Sequence, residues 1–327
     1  MTSRSLGVVV IGRNEGERLR RCLMSALTTT KHVVYVDSGS TDGSVNMARA
    51  LGVEILELDV HRAFTAARAR NAGFQQVLAH WPTLQYTQFV DGDCELMPGW
   101  LERASSFLDD HPQVVVVCGR RRERAPDRSV YNLLCDLEWD TPVGETKACG
   151  GDALMRCAAF ISSGGFKEDL IAGEEPELCV RLRRAGGKIW RLDAEMTFHD
   201  AAMTHFGQWW RRTVRSGYAF AEGAALHGAP PDRHWVAESR RAVIWGIGLP
   251  LLIAIGTVCS SSYFAILTLA YPAQVLRLGL RSKVRERRSR WQSAFFLVLG
   301  RFPEALGVAR YWIGHIMNLE SNLIEYK

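Results

Sequence analysis

The sequence predicts an α/β fold in which a mostly parallel sheet is flanked by helices, followed by a helical C-terminal region. Two observations support this prediction. Short apolar, β-branched runs alternate with helical patterns over the first two-thirds of the 327-residue chain, and such alternation favours right-handed crossovers between parallel strands. Beyond about residue 240 the chain contains a long uncharged stretch, which is unusual for a helix on the surface of a globular domain.

Three strands are predicted first along the chain, and the first two of them end in polar segments. The strands are residues 7–11, 33–36 and 53–56, and helical patterns follow the first two. The loops after these two strands contain Asp, Ser, Asn and Arg rather than a glycine-rich phosphate cradle. No GxGxxG or GxxxxGK[ST] motif follows a predicted strand, so the pattern argues against a dinucleotide-dependent dehydrogenase and against a P-loop enzyme.

A fourth predicted strand ends on two carboxylates one residue apart, Asp91 and Asp93. Alternate residues of an extended chain point to the same side, so both carboxylates can face one site. Such a pair suits Mg²⁺ or Mn²⁺, which often carries a diphosphate as well, and ligands bind at strand ends in α/β sheets. Because Asp-Gly-Asp is also a common turn sequence, the pair alone leaves a metal site and a plain turn open.

Five segments in the same order resemble the family 2 glycosyltransferases, which have the GT-A fold. They are residues 8–15, 36–43, 69–73, 91–93 and 173–182. The resemblance covers roughly the first two-thirds of the chain. It implies an inverting, metal-dependent enzyme that uses Mn or Mg. Its donor would be a nucleoside-diphosphate sugar, such as a UDP- or GDP-sugar, and its acceptor a hydroxyl of a saccharide or a lipid-linked molecule.

The resemblance also implies which residues contact the nucleotide and the donor. They are Arg13, Asn14, Glu15, Asp37, Ser38, Arg70, Asp91 and Asp152. Many relatives have two acidic residues where this chain has Asp37 and Ser38, so the carboxylate often placed on the base is missing here. Arg70 matches an arginine that faces the nucleotide, although a helix-surface position is the alternative. Asp152 is a candidate contact near the donor sugar and the acceptor.

By the same resemblance, Asp93 is the direct metal ligand, and Asp91 faces the ribose and the metal. The cation would offset the charge that develops on the departing diphosphate. His199 follows the last predicted core strand, where a histidine often reaches the metal or diphosphate, and a purely structural histidine is the alternative.

The acceptor hydroxyl needs a base, and the resemblance places it in the acidic pair Glu174 and Glu175. Glu175 occupies the position of the family's catalytic Asp, so it is the expected base, with Glu174 as the alternative. Pro176 fits the first turn of a helix. Acidic residues also stabilise a helix N-terminus through the macrodipole, so some of these glutamates can serve as first-turn charges only.

The C-terminal region is expected to associate with a membrane. Residues 242–276 contain no charge, and arginines lie on both sides. The stretch suits two short spanning helices or a re-entrant hairpin at about 242–280, and the alternative is a buried helical hairpin in a soluble domain. Residues 291–317 would form an interface helix or a third, imperfect span. We expect residues 1–230 to form the catalytic domain and residues 231–327 the helical region.

Composition favours a cytoplasmic protein bound to a membrane rather than to nucleic acid. The formal net charge is +5 and the pI about 8.8, and no DNA- or RNA-binding motif is recognisable. The eight cysteines show no zinc spacing and are expected to be reduced thiols. The first strand begins within a few residues and no signal peptide precedes it, so the expected location is the cytoplasmic face of the inner membrane.

The sequence leaves alternatives for two segments and for the biological setting. The segment 208–212, Gln-Trp-Trp-Arg-Arg, resembles an element of processive polysaccharide synthases, or forms an interfacial helix. Residues 120–126 are expected to be irregular, either a mobile active-site loop or a solvated turn. The setting would be envelope or exopolysaccharide assembly. The alternatives are a glycosyltransferase that acts on a soluble acceptor and a catalytically silent subunit that binds sugar nucleotides within a membrane complex.

Overall fold

A computed structural model describes residues 5–62 and 64–318. Within these residues the chain forms two compact units. The first comprises residues up to 126 together with 135–202, and the second comprises 127–134 together with the residues from 203 onward. The units divide near residue 203, whereas composition places the end of the catalytic domain at residue 230. Each unit is described by itself below.

The first unit is built on a sheet whose spatial order is β3-β2-β1-β4-β8-β6-β9-β5, with β7 paired to β9. Its strands are β1 (Leu6–Gly12), β2 (Val33–Asp37), β3 (Glu54–Glu57), β4 (Tyr86–Asp91), β5 (Cys94–Leu96), β6 (Val114–Glu123), β7 (Gly144–Thr146), β8 (Ala153–Arg156) and β9 (Lys188–His199). The first helices of the chain are α1 (Glu17–Leu27), α2 (Ser44–Ala50), α3 (Ala66–His80), α4 (Trp100–Asp110), α5 (Val130–Glu138), α6 (Cys157–Ser162) and α7 (Glu174–Arg184).

The sheet is mixed rather than mostly parallel. Strands β1 to β4 pair in parallel, as the alternation of strands and helices predicts. Beyond β4, however, β8 runs antiparallel to both β4 and β6, and β5 and β7 run antiparallel to β9. The simple alternation of strands and helices ends at β4, so the sequence pattern that predicts parallel pairing does not extend to these strands.

The core lies on both faces of the sheet, and β1 shows how the sequence creates it. Val8 and Val10 pack into one apolar cluster with α1 and α4, while Val9 and Ile11 pack into the other with α3. A strand covered on both faces has a continuous apolar sequence, which explains why residues 7–11 contain no polar side chain. Gly73 lets α3 approach this strand, since a Cβ there would lie 2.5 Å from Val9 Cγ1.

The expectation of an irregular segment at 120–126 is wrong for its first four residues. Strand β6 continues through Glu123, and residues 120–123 pair with residues 195–199 of β9, with register irregularities at residues 118–121. Three consecutive arginines, at 120, 121 and 122, favour a solvated loop in the sequence, but in the structure each is paired with an acidic side chain. These acidic partners are distant in sequence, so the local pattern could not predict that residues 120–123 form a strand.

The second unit is helical. Its helices are α8 (Phe206–His227), α9 (Val236–Val243), a π-helical stretch (Ile244–Gly248), α10 (Leu249–Cys259), a 3-10 helix (Ser262–Leu269), α11 (Ala270–Arg281), α12 (Arg287–Leu299) and α13 (Arg301–Ile316). Helices α8 and α13 cross closely at Gly217 and Gly307, where a Cβ would collide with the backbone of the other helix. Trp209 of α8 is buried against Phe296 and Tyr131, so this member of the Trp pair is a packing residue and is not exposed as an interfacial anchor would be.

Two stretches of the second unit are long and apolar enough to cross a membrane, as judged from length and composition. They are Val236–Cys259 and Ser262–Arg281. Large apolar side chains on both are exposed within the described structure, including Ile255, Val258 and Tyr263, and the last two are each 84% exposed. Within the described residues these side chains are not buried, and membrane association stays a prediction.

Candidate active site

The two carboxylates after β4 lie at the edge of the sheet but differ in their surroundings. Asp91 is the last residue of β4, and its side chain is 29% exposed. Asp93 begins the return toward β5, is only 4% exposed, and lies with Oδ2 at 3.3 Å from Nε2 of His199. Strand β5 pairs with the end of β9 through Cys94 and His199, so sheet pairing brings this histidine to the acidic pair.

Arg70 lies between Asp91 and Glu174. Its Nη2 donates to Oδ1 of Asp91 at 2.6 Å, and its Nη1 donates to Oε1 of Glu174. The arginine side chain is only 3% exposed. Burial alone would lower the pKa of this guanidinium, but the two carboxylates outweigh it and the pKa is raised. The structure therefore excludes the alternative of a helix-surface arginine, and the contact of Arg70 with the nucleotide stays a prediction.

A second arginine, Arg121 of β6, joins the same cluster. Its Nη2 lies 2.8 Å from Oδ2 of Asp152 and 3.6 Å from Oδ2 of Asp91, and its guanidinium carbon lies 5.2 Å from the Trp139 ring centroid. Arg121 is not among the predicted site residues because residues 120–126 were expected to be irregular. The sequence offers one signal for this residue, because Arg121 lies on the continuation of an apolar strand.

Asp152 is fully buried and holds other residues of the cluster. Its Oδ1 accepts the backbone N–H of Asp91 at 3.0 Å, and its Oδ2 accepts the hydroxyl of Thr197 at 2.9 Å in addition to the Arg121 ion pair. Both oxygens are therefore engaged. A direct contact between Asp152 and a donor sugar stays a prediction that burial disfavours, and the observed geometry gives this residue a supporting place beneath Asp91.

Among the residues that the structure describes, two groups of side chains have the geometry to hold a metal ion. Ligand atoms of Asp93, Cys94 and His199 lie within 4.8 Å of one another, as do those of Asp91, Cys94 and Asp152. Burial lowers the pKa of the His199 imidazole, which favours the neutral form that binds metals. Burial raises the pKa of the Cys94 thiol, which leaves the carboxylate oxygens and the imidazole as the better donors.

A carboxylate behind His199 completes the first of these groups. Glu123 Oε2 lies 3.5 Å from Nδ1 of His199, on the side of the ring away from Asp93. Metal-binding histidines usually direct their second ring nitrogen to such a carboxylate. Oxygen and imidazole donors suit Mn²⁺, and oxygen donors suit Mg²⁺. The residues present therefore fit a divalent cation held by Asp93 and His199, with Asp91 next to them.

The first two strand-end loops are joined by Asn14. Its Oδ1 accepts the backbone N–H of Thr41 at 2.7 Å, and its own N–H donates to Oγ of Ser40 at 2.9 Å. Asp37 is buried and shapes the second loop, because its Oδ2 accepts the N–H groups of Gly39 and Ser40 at 2.8 Å each. The expected contact of Asp37 with the nucleoside stays a prediction.

The remaining predicted nucleotide contacts differ in exposure. Arg13 is exposed, and its guanidinium carbon lies 5.4 Å from the centroid of the Phe64 ring. Glu15 pairs with Arg18 at 2.7 Å. Ser38, half-buried, donates its backbone N–H to the carbonyl of Gly12 at 3.1 Å. Residues 13–15 and 38 thus all lie in the loops that follow β1 and β2.

The acidic pair opens α7 as predicted, but its two members differ sharply. Glu174 is the first residue of the helix and pairs with Arg70. Glu175 is 2% exposed and accepts the backbone N–H groups of Cys149 and Gly150, each at 2.8 Å. Burial raises the pKa of its carboxyl group. Glu175 as the base stays a prediction, and in this structure both of its carboxylate oxygens are engaged by protein partners.

Comparison with known proteins identifies the family. The model of "Glycosyl transferase family 2" matches residues 7–157. Glycosyltransferase AglE of Haloferax volcanii is 33% identical over 236 residues, which cover 65% of this chain and 71% of AglE. The chain belongs to glycosyltransferase family 2. The match ends before α7, so the acidic pair is placed by geometry rather than by the family model.

Two further comparisons show how much of other proteins the similarity covers. The pre-mycofactocin glycosyltransferase of Mycobacterium tuberculosis is 27% identical over 243 residues, which cover 70% of this family 2 chain and 49% of that protein, so the chain spans about half its length. The mannosyltransferase PcManGT from Pyrobaculum calidifontis, solved in complex with GDP-Man and Mn²⁺, superposes with a TM-score of 0.63 at 19% identity. That alignment covers 94% of this chain and 88% of PcManGT, and it confirms the GT-A fold.

Proposed function

We propose that this family 2 glycosyltransferase moves one sugar, with inversion, from a UDP- or GDP-sugar to a hydroxyl acceptor. The observation that carries the proposal is a cluster of carboxylates and arginines at one edge of the sheet. Asp91 pairs with Arg70 and lies 3.6 Å from Arg121, and Asp93, two residues further along the chain, lies next to His199. Carboxylates that hold a cation, together with arginines, suit a diphosphate.

A divalent metal, Mn²⁺ or Mg²⁺, would be held by Asp93 and His199, with Asp91 beside them. When bound, it would act as a Lewis acid that offsets charge on the departing nucleoside diphosphate. The presence of GDP-Man and Mn²⁺ in PcManGT supports this assignment. Glu123 would orient the His199 ring through Nδ1, and Asp152 would keep Asp91 in place through its backbone N–H.

The protein side chains would supply the remaining chemistry. Arg70 and Arg121 are planar cations whose forked donors match phosphate oxygens, so they would orient the diphosphate. The carboxylate pair at the start of α7, Glu174 and Glu175, would supply the base that removes the acceptor proton. A direct attack on the face of the sugar opposite the leaving group inverts the anomeric carbon, as in other two-carboxylate and metal-assisted transfers.

Attachment to the cytoplasmic face of a membrane, and with it a lipid-linked acceptor, forms the second part of the proposal. The two apolar stretches, Val236–Cys259 and Ser262–Arg281, expose large apolar side chains that lipid would cover. Residues 277–290 contain seven basic residues and one acidic residue, which suits anionic headgroups. An enzyme that acts on a soluble acceptor would need this region only as an anchor.

The test is donor hydrolysis by the full chain in detergent, with a panel of nucleotide sugars and with Mn²⁺, Mg²⁺ or EDTA. We expect metal-dependent release of one nucleoside diphosphate and its loss in Asp93→Ala. The absence of both turnover and nucleoside-diphosphate binding would refute the enzyme proposal. Release of the protein from membranes by high salt alone, without detergent, would refute the embedded hairpin.

A further inference from the structure

We propose that Glu175 is a positioning residue, which fixes the segment 149–151 beneath the active site, and that Glu174 is the base. This inference rests on the proposed function and divides the roles of the acidic pair. The position that the family resemblance assigns to the base would thus have a different task in this chain, and the neighbouring carboxylate would act on the acceptor.

The partners of Glu175 occupy both of its oxygens. Oε1 accepts the N–H of Cys149 and the thiol of Cys179, both at 2.8 Å, and Oε2 accepts the N–H of Gly150 at 2.8 Å. A base must come within hydrogen-bond distance of the acceptor hydroxyl. Glu175 could do so only by giving up backbone bonds inside a buried site, and a buried N–H left unpaired is costly.

The segment that Glu175 holds lies directly against the arginine cluster. Gly150 adopts a φ of +106°, a conformation that favours glycine. Gly151 has no room for a side chain, because a Cβ there would lie 2.7 Å from Nη2 of Arg70 and 3.1 Å from Oδ2 of Asp91. The next residue, Asp152, anchors the backbone of Asp91. Loss of the Glu175 bonds would therefore disturb the Arg70–Asp91 ion pair.

Glu174 has the features that Glu175 lacks. Its Oε1 is held by Nη1 of Arg70, which fixes the carboxylate at the edge of the cluster. Among the residues that the structure describes, its Oε2 has no hydrogen-bond partner, and the side chain is 12% exposed. One oxygen is thus oriented and the other can accept a proton. Arg70 links this carboxylate to Asp91, the residue expected at the donor.

The experiment compares Glu174→Gln, Glu175→Gln and Glu175→Asp in the full chain, with Glu57→Gln at an exposed position as the matched control. For each, kcat of donor hydrolysis, nucleoside-diphosphate affinity and amide exchange of residues 149–151 are measured. Glu174→Gln should lower kcat at least about 100-fold with nucleotide affinity unchanged. Both Glu175 variants should weaken nucleotide binding roughly tenfold and expose the 149–151 amides to exchange.

Glu175→Asp decides between the two roles. A base would tolerate Asp, the residue found at this position in the resembling family, whereas a shorter carboxylate cannot reach both N–H groups. Wild-type kcat and binding in Glu175→Asp, with a 100-fold loss of kcat in Glu175→Gln, would overturn the proposal. If the wild type neither binds nor hydrolyses any nucleotide sugar, the proposed function fails. Amide exchange then still tests the positioning role, and unchanged protection in both variants would overturn it.

Discussion

Removal of the Arg70 guanidinium is expected to destabilise the first unit strongly. Arg70→Met keeps most of the side-chain volume but leaves Asp91 and Glu174 without their shared cation. Breaking a buried ion pair by removing one partner costs about 3–5 kcal/mol. Asp91 is 29% exposed and its charge is partly screened by water, so we expect the lower end, about 3 kcal/mol.

The assay is thermal unfolding of the full chain in detergent, at pH 7 and pH 5. For a unit of this size, about 3 kcal/mol corresponds to a Tm lower by roughly 6–12 °C. The Tm of Arg70→Lys should lie between those of the wild type and Arg70→Met, since one ammonium cannot donate to both carboxylates in the same geometry. The matched control is Arg20→Met, because Arg20 is half-exposed and pairs with exposed Glu17 at 3.3 Å, a pair worth at most about 1 kcal/mol.

The pH arm tests the electrostatic reason for the loss. In Arg70→Met the folded protein holds Glu174 without its cation and leaves Asp91 only the more distant Arg121, at 3.6 Å. These carboxylates should therefore bind protons more tightly in the folded protein than in the unfolded chain. Stability of the variant relative to the wild type should then rise as the pH falls from 7 to 5. A variant as stable as the wild type at pH 7, or a deficit that grows on acidification, would refute the reasoning.

Three other predictions follow from the same site and from the core. Glu123→Gln should weaken Mn²⁺ binding about 10–100-fold by removing the carboxylate behind the metal-binding imidazole, as measured by titration calorimetry, and unchanged affinity would contradict the assigned metal site. Gly73→Ala should lower the free energy of unfolding by about 1–3 kcal/mol, because its Cβ would meet Val9 Cγ1 at 2.5 Å. The matched control is Gly314→Ala, which has nothing within 4 Å of the new Cβ and should leave the free energy of unfolding unchanged or raise it slightly. Equal losses of stability in Gly73→Ala and Gly314→Ala would show that packing against Val9 is not the cause. Burial raises the pKa of Glu175 above the ordinary 4.5. The free energy of unfolding of the wild type minus that of Glu175→Gln, measured by denaturant titration, should therefore decline as the pH rises from about 4.5 toward 7. An increase of this difference over the same pH range would contradict the buried carboxyl.

Features that depend on local sequence order could be predicted without the structure. The apolar runs at residues 7–11 and 33–36 predicted buried parallel strands, and the Asp91–Asp93 spacing predicted a carboxylate pair at a strand end. Residues 173–178 predicted the start of a helix, which the structure places at Glu174. These features follow from backbone periodicity and helix-end chemistry, which are local properties.

Tertiary structure alone decided which charged residues meet. Arg121 lies next to Asp152 because strand β6 continues through three arginines, and acidic residues on other elements pair with them there. It also assigned different environments to Glu174 and Glu175, adjacent residues of the same type, since one faces Arg70 and the other faces two backbone N–H groups. The preferred partner of a charge is set by contacts distant in sequence, and burial makes those contacts decisive.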